Sequence, residues 1–172
     1  MKKLTLLAIG LLLGFCALGQ EVSTDIFTAT APAGATKLTG QALADYVRNN
    51  YKKSHLPSNQ ENTYLADNVL ICFWGLPAGT VKSKPLEEMQ TRMVAVLQKN
   101  NTVNYARIET INNTRFLIYE FETDGEVFIS YRSEPNAKEQ TLNGTLQFKT
   151  ADKEKARQYL KDLLTSMHFK DR

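Results

Sequence analysis

The run Val69-Leu70-Ile71-Cys72-Phe73-Trp74 is apolar at every position and rich in strand-forming residues. A run this short predicts a strand rather than a helix, and its lack of polar alternation means that both of its faces must be covered. Such a strand cannot stand at a sheet margin, where bare backbone and oily side chains would pair with other molecules. The chain must therefore place it inside a sheet and supply layers above and below. Gly75, Pro77 and Gly79 end the run.

The flanking segments supply those layers. Leu43, Tyr46, Val47 and Tyr51 recur at helical spacing after Thr39, which is placed to cap a helix over 40–53. Residues 54–62, with Pro57 and several polar side chains, read as a loop. Pro85 opens a second helix, to about residue 99, with Leu86, Met89, Met93, Val96 and Leu97 on one side. Strands follow at 103–110, 114–122, 127–131 and 142–148. Asp124-Gly125 is a strong hairpin signal, because a type I′ turn needs positive φ at both central residues, and Asn112-Asn113 suits the preceding turn for the same reason. The last helix, over 151–167, carries Ala156, Tyr159, Leu160, Leu163, Leu164 and Met167 as its apolar stripe, with Thr150 or Asp152 as the cap. Together these predict an α+β fold, an α/β/α sandwich around a central, mainly antiparallel β-sheet.

Ahead of this domain, Lys2 and Lys3 precede the apolar segment Leu4 to Leu18, which has the length and charge of an export signal rather than of a membrane span. Ala17 and Gly19 are small at the positions a signal peptidase requires, so residues 1–19 read as a signal peptide, 20–36 as an extended lead-in and 37–172 as a single α+β domain. Lipid anchoring through Cys16 is the alternative; the bulky Phe15 immediately before it fits a lipoprotein site poorly. The expected location is the periplasm or the extracellular space, with no integral membrane segment after cleavage. The whole chain has 21 basic and 18 acidic residues, and loss of Lys2 and Lys3 leaves a formal charge of only +1. That near-neutral balance argues against nucleic acid as a partner. Cys72 would be the one cysteine left, so no intrachain disulfide is available.

Candidate chemistry is sparse. His55, His168 and Cys72 stand apart in sequence without the ligand spacing of a zinc site, and no metal or cofactor is implied. Cys72 would be a nucleophile only with a histidine beside it, and its apolar neighbours favour an inert core thiol. His168 is placed to favour the dipole at the end of the last helix. Glu120, Glu122, Asp124 and Glu126 bracket a tight turn and read as a solvated hairpin rather than as a calcium loop. No Gly-x-Ser-x-Gly elbow or phosphate loop occurs. Trp74 ends the buried strand where scaffold meets loop, and Tyr64 lies just upstream; the pair is a candidate aromatic contact patch, although a lone tryptophan among apolar neighbours is more often a core residue.

The order of elements, a buried strand at 69–74, a helix at 85–99, an antiparallel meander and a closing amphipathic helix with Leu163, Leu164, Ser166 and Phe169, resembles the PsbP-like α/β/α sandwich family over about residues 65–170. That family includes photosystem II extrinsic proteins, a Ran-binding protein and exported bacterial relatives of the DcrB type. The helix over 40–53 falls where the family usually has strands. The resemblance implies a non-catalytic binding or assembly module that contacts a protein or small ligand in the cell envelope. The alternative is a small-ligand carrier or enzyme with a pocket near Trp74 and Tyr64.

Overall fold

The computed structural model describes residues 19–52, 61–80 and 84–170; the export-signal reading of 1–18 and the loop residues His55 and Pro57 lie outside them. The described chain runs β1 (Glu21–Ser23), β2 (Phe27–Thr30), β3 (Thr36–Lys37), α1 (Gly40–Asn50), β4 (Thr63–Ala66), β5 (Val69–Leu76) and α2 (Leu86–Leu97). It continues with β6 (Thr102–Ile111), β7 (Thr114–Thr123), β8 (Glu126–Ser133), β9 (Thr141–Lys149), α3 (Lys153–Ser166) and β10 (His168–Phe169).

The apolar run forms the start of β5, third in a seven-stranded antiparallel sheet of order β3-β4-β5-β9-β8-β7-β6. Val69 to Phe73 are all fully buried. Strand alternation sends Val69, Ile71 and Phe73 into the main core, which they share with Leu160, Leu163 and Leu164 of α3. Leu70 points the other way and packs with Leu43 and Tyr51 around α1. The second face is completed by α2, whose Gln90 Nε2 donates to the Ala106 carbonyl of β6 at 2.7 Å. The α/β/α sandwich follows directly from a strand that is oily on both sides.

Both predicted hairpins close on left-handed residues. Asp124 and Gly125 have φ of 53° and 80°, and Asn112 and Asn113 have 50° and 61°. Asn, Asp and Gly tolerate that region best, which is why these dipeptides set the register of β6, β7 and β8.

Several expectations need correction. Thr39 and Asp152 occupy N-cap positions, but neither side chain makes a capping hydrogen bond. The stretch 20–36, whose sequence reads as an extended lead-in or an early edge strand, holds β1 and β2, which build a separate three-stranded sheet with β10. Through it, Val22, Phe27 and Ala29 join the main core. His168 lies in β10, opposite Thr28, rather than at the end of a helix. Val96 leaves the predicted stripe of α2 and is 52% exposed, because a single helix over a sheet margin buries only a narrow line.

The acidic hairpin is not solvated throughout. Phe116, Ile118 and Glu120 alternate onto the core face of β7, which takes Glu120 beneath the first turns of α3. There its carboxylate, fully buried, meets Lys153 Nζ at 2.7 Å, Arg157 Nε at 3.1 Å and Asn104 Nδ2 at 2.8 Å. Burial alone pushes this carboxyl up; the three donors outweigh it and hold it below the usual range. Glu126 is buried as well, accepting from the Lys52 backbone N–H at 2.5 Å and from Gln147 Nε2 at 2.9 Å.

Candidate functional site

β6 is the last strand of the large sheet and pairs only with β7. A bulge between Val103 and Tyr105 twists its first residues, after which Tyr105, Arg107, Glu109 and Ile111 share the face on which α3 lies. The apolar stripe of α3 is seated over the sheet centre, where Ala156, Leu160, Leu163 and Leu164 are buried. Two polar anchors fix that seat. Asp67 accepts from Lys155 Nζ at 3.0 Å and from the Tyr159 hydroxyl at 2.8 Å, and Glu120 holds the helix from beneath.

One helix is narrower than seven strands, so the margin along β6 remains uncovered. The result is a groove of about 430 Å³ between β6 and α3. Its floor is apolar, formed by Ile111, Ile118, Leu160 and Leu164, and its rim carries Arg107, Arg157 and Lys161. Glu109, the acid in the lining, pairs with Arg107. Arg157 is shared with Glu120 and Glu154, whereas Lys161 has no carboxylate partner among the described residues. The Arg107 guanidinium sits 4.6 Å from the centre of the Tyr105 ring, and that of Arg157 sits 5.8 Å from it. These cation–π contacts hold the two long side chains along the groove instead of letting them wander in solvent. One end is closed by Asn112 Nδ2 donating to the Thr165 carbonyl at 2.6 Å. The other end meets the Glu120 network.

The chemistry of this surface is that of recognition. Its cations and apolar floor can hold an acidic, partly apolar chain, and burial and Glu120 both push the Tyr105 phenol up, keeping it protonated near neutrality. None of Arg107, Arg157, Lys161 or the groove itself was singled out from the sequence. Alternation of Tyr105, Arg107, Glu109 and Ile111 on a strand was the available signal, and it is weak without knowing that β6 is an edge.

The aromatic pair taken from the sequence is not brought together. Tyr64 is fully buried on the main-core face, its ring stacked on Phe73 at 5.7 Å. Trp74 follows Phe73 in β5, so it faces the opposite layer, with Asn143 as its cross-strand neighbour. Cys72 is a free, buried thiol whose pKa burial pushes up to about 11. Among the described residues no group of three or more His, Cys, Asp or Glu side chains is placed to hold a metal ion.

Layer order, strand order and the position of the closing helix define the class: an antiparallel α/β/α sandwich of the PsbP-like fold. Among solved structures, the chain is similar to the solution structure of cyanobacterial PsbP (CyanoP) from Synechocystis sp. PCC 6803, at a TM-score of 0.56 and 7% identity, covering 90% of this chain and 94% of that one. It also matches the crystal structure of the Saccharomyces cerevisiae Ran-binding protein Mog1p, at a TM-score of 0.44 and 14% identity, over 87% of this chain and 94% of that one. At 7% identity the likeness to CyanoP is one of fold. No protein-family model and no curated protein matches the chain.

Proposed function

We propose that this chain is an exported, non-catalytic binding module that takes an extended, acidic segment of a cell-envelope protein along β6. The observation that carries the reading is the groove of about 430 Å³ lying beside a ten-residue edge strand, with Arg107, Arg157 and Lys161 on its rim, of which Lys161 has no carboxylate partner among the described residues. A segment adding to the outer side of Arg107 to Ile111 would gain main-chain hydrogen bonds from the strand edge. Its alternate side chains would fall into the groove, apolar ones on Ile118 and Leu164, acidic ones beside Arg107 and Lys161. Main-chain pairing supplies affinity and the cationic rim supplies register and selectivity.

The test is a titration of a labelled eight-residue peptide of alternating Glu and Leu, followed by fluorescence anisotropy. Saturable binding that is lost in the Arg107→Glu/Lys161→Glu double variant supports the proposal. Equal binding of a peptide in which Lys replaces Glu would contradict it. The export component is tested separately, by the location and N-terminus of the mature protein.

A further inference from the structure

The face of the sheet beneath α1 and α2 carries a polar patch where a core would be expected. Two adjacent cross-strand rows make it. One runs Trp74, Asn143, Arg132 and Leu117; the other runs Cys72, Thr145, Ser130 and Tyr119. Asn143 and Thr145 are buried, whereas Arg132 and Ser130 are half-buried. The hydroxyls of Ser130 and Thr145 lie 3.3 Å apart, and Asn143 Nδ2 donates to Thr141 Oγ1 at 3.0 Å. A sheet that needed only to bury its surface would fill these positions with Val, Ile and Leu, as it does on the other face.

Arg132 is the cation of this patch, and its polar neighbour on β7 is the neutral Tyr119 phenol rather than an acid. Among the described residues no carboxylate pairs with it, and burial pushes its pKa down. Outside the described residues, 1–18, 53–60 and 81–83 contain no Asp or Glu in their sequence, and the one acid, Asp171, follows Lys170, whose N–H donates to the Ile26 carbonyl beside the small sheet. Glu126, also on this face, is three rows away and already satisfied by Gln147 and the Lys52 N–H. Arg115, the next cation towards the other end, is neutralised by Glu87 and Glu134. A partly desolvated guanidinium without a counter-ion is costly to keep. Its fork, flanked by hydroxyl and amide groups, matches the planar geometry of a carboxylate.

We infer that Arg132, with Ser130, Asn143 and Thr145 around it, forms a binding site for a small organic carboxylate, separate from the groove beside β6. A single uncompensated positive charge suits a monoanion. Trp74, half-buried at one end of the row, provides the apolar surface for a short aliphatic tail, and Leu117 at the other end is fully buried.

Trp74 is the chain's one tryptophan, and two strand spacings place it about 10 Å from Arg132, so its emission reports the site. The experiment titrates the full mature protein with butyrate at constant ionic strength, following Trp74 emission and the melting temperature. A saturable change with a midpoint of about 1 mM, a rise in melting temperature, and no response to the neutral isostere butyramide are expected. Arg132→Gln should weaken the response at least tenfold, Arg132→Lys should fall between, and Lys161→Glu should leave it unchanged. The butyrate and butyramide comparison needs no variant, so the inference stands or falls even if Arg132→Gln does not fold. No saturable response, equal responses to both compounds, or tighter binding of inorganic phosphate would each overturn it.

Discussion

Gly144→Ala is the substitution whose effect the geometry fixes most tightly. Gly144 lies in β9 directly opposite Tyr131 of β8, and a methyl group there would stand 2.4 Å from the Tyr131 Cζ and hydroxyl oxygen. Ordinary carbon contacts fall at about 3.5–4.0 Å, so the ring would have to retreat by about 1 Å. It has little freedom to do so. Tyr131 is 2% exposed and meets Phe116 edge-on with ring centres 6.1 Å apart. Its hydroxyl has no hydrogen-bond partner among the described residues, so packing alone sets its place. Overpacking of this kind costs roughly 1–3 kcal/mol. Loss of glycine freedom in the unfolded chain returns about 0.4–1 kcal/mol where the native backbone suits alanine. A net loss of about 1.3 kcal/mol remains, and with a urea m-value of about 2 kcal/mol/M the unfolding midpoint should drop by about 0.6 M. Tyr131→Leu should relieve the clash, so the double variant should lose less than the two single losses together. An unchanged midpoint for Gly144→Ala, or strict additivity, would refute the packing described.

Three further outcomes follow from the buried groups and the leader. Because Glu120 has a folded pKa below its unfolded value of about 4.3, its stabilisation is full above about pH 5 and disappears as pH falls through the folded value. Glu120→Gln should therefore cost about 2 kcal/mol at pH 7 and flatten the acid limb of a stability-against-pH curve, and an unaltered limb would remove Glu120 as its cause. Cys72 should react with a thiol reagent only as fast as the protein unfolds, given a pKa near 11 and full burial; fast labelling of native protein would mean the β5 face is open. Mass spectrometry of exported protein should find Gln20 at the N-terminus, and a diacylglycerol on Cys16 would reverse that expectation.

What the sequence revealed was local. The oily run at 69–74 and the Asp124-Gly125 and Asn112-Asn113 turns identify β5 and the meander because each signal is complete within a few residues. The small sheet of β1, β2 and β10 pairs residues near 28 with residues near 168, and strands of two to four residues leave no periodicity to detect. β4 was missed for a similar reason, since its four residues carry no alternation of their own. Glu120 was readable in principle. Phe116 and Ile118 share its face, yet a carboxylate in a core is credible only once Lys153 and Arg157 are known to sit above it. Tyr64 and Trp74 fall on opposite sides of the sheet, which closeness in sequence does not reveal. The groove depends on how far α3 reaches across seven strands, a quantity that no stretch of sequence states.

Amide chemical shifts of isotope-labelled protein, recorded while the Glu/Leu peptide is added, show whether β6 is the edge that takes the peptide. The largest changes should fall on Arg107 to Ile111 and on Lys161 to Thr165, with the resonances around Asn143 and Arg132 unmoved. Changes scattered over α1 and α2, or no changes at saturating peptide, would contradict binding along β6.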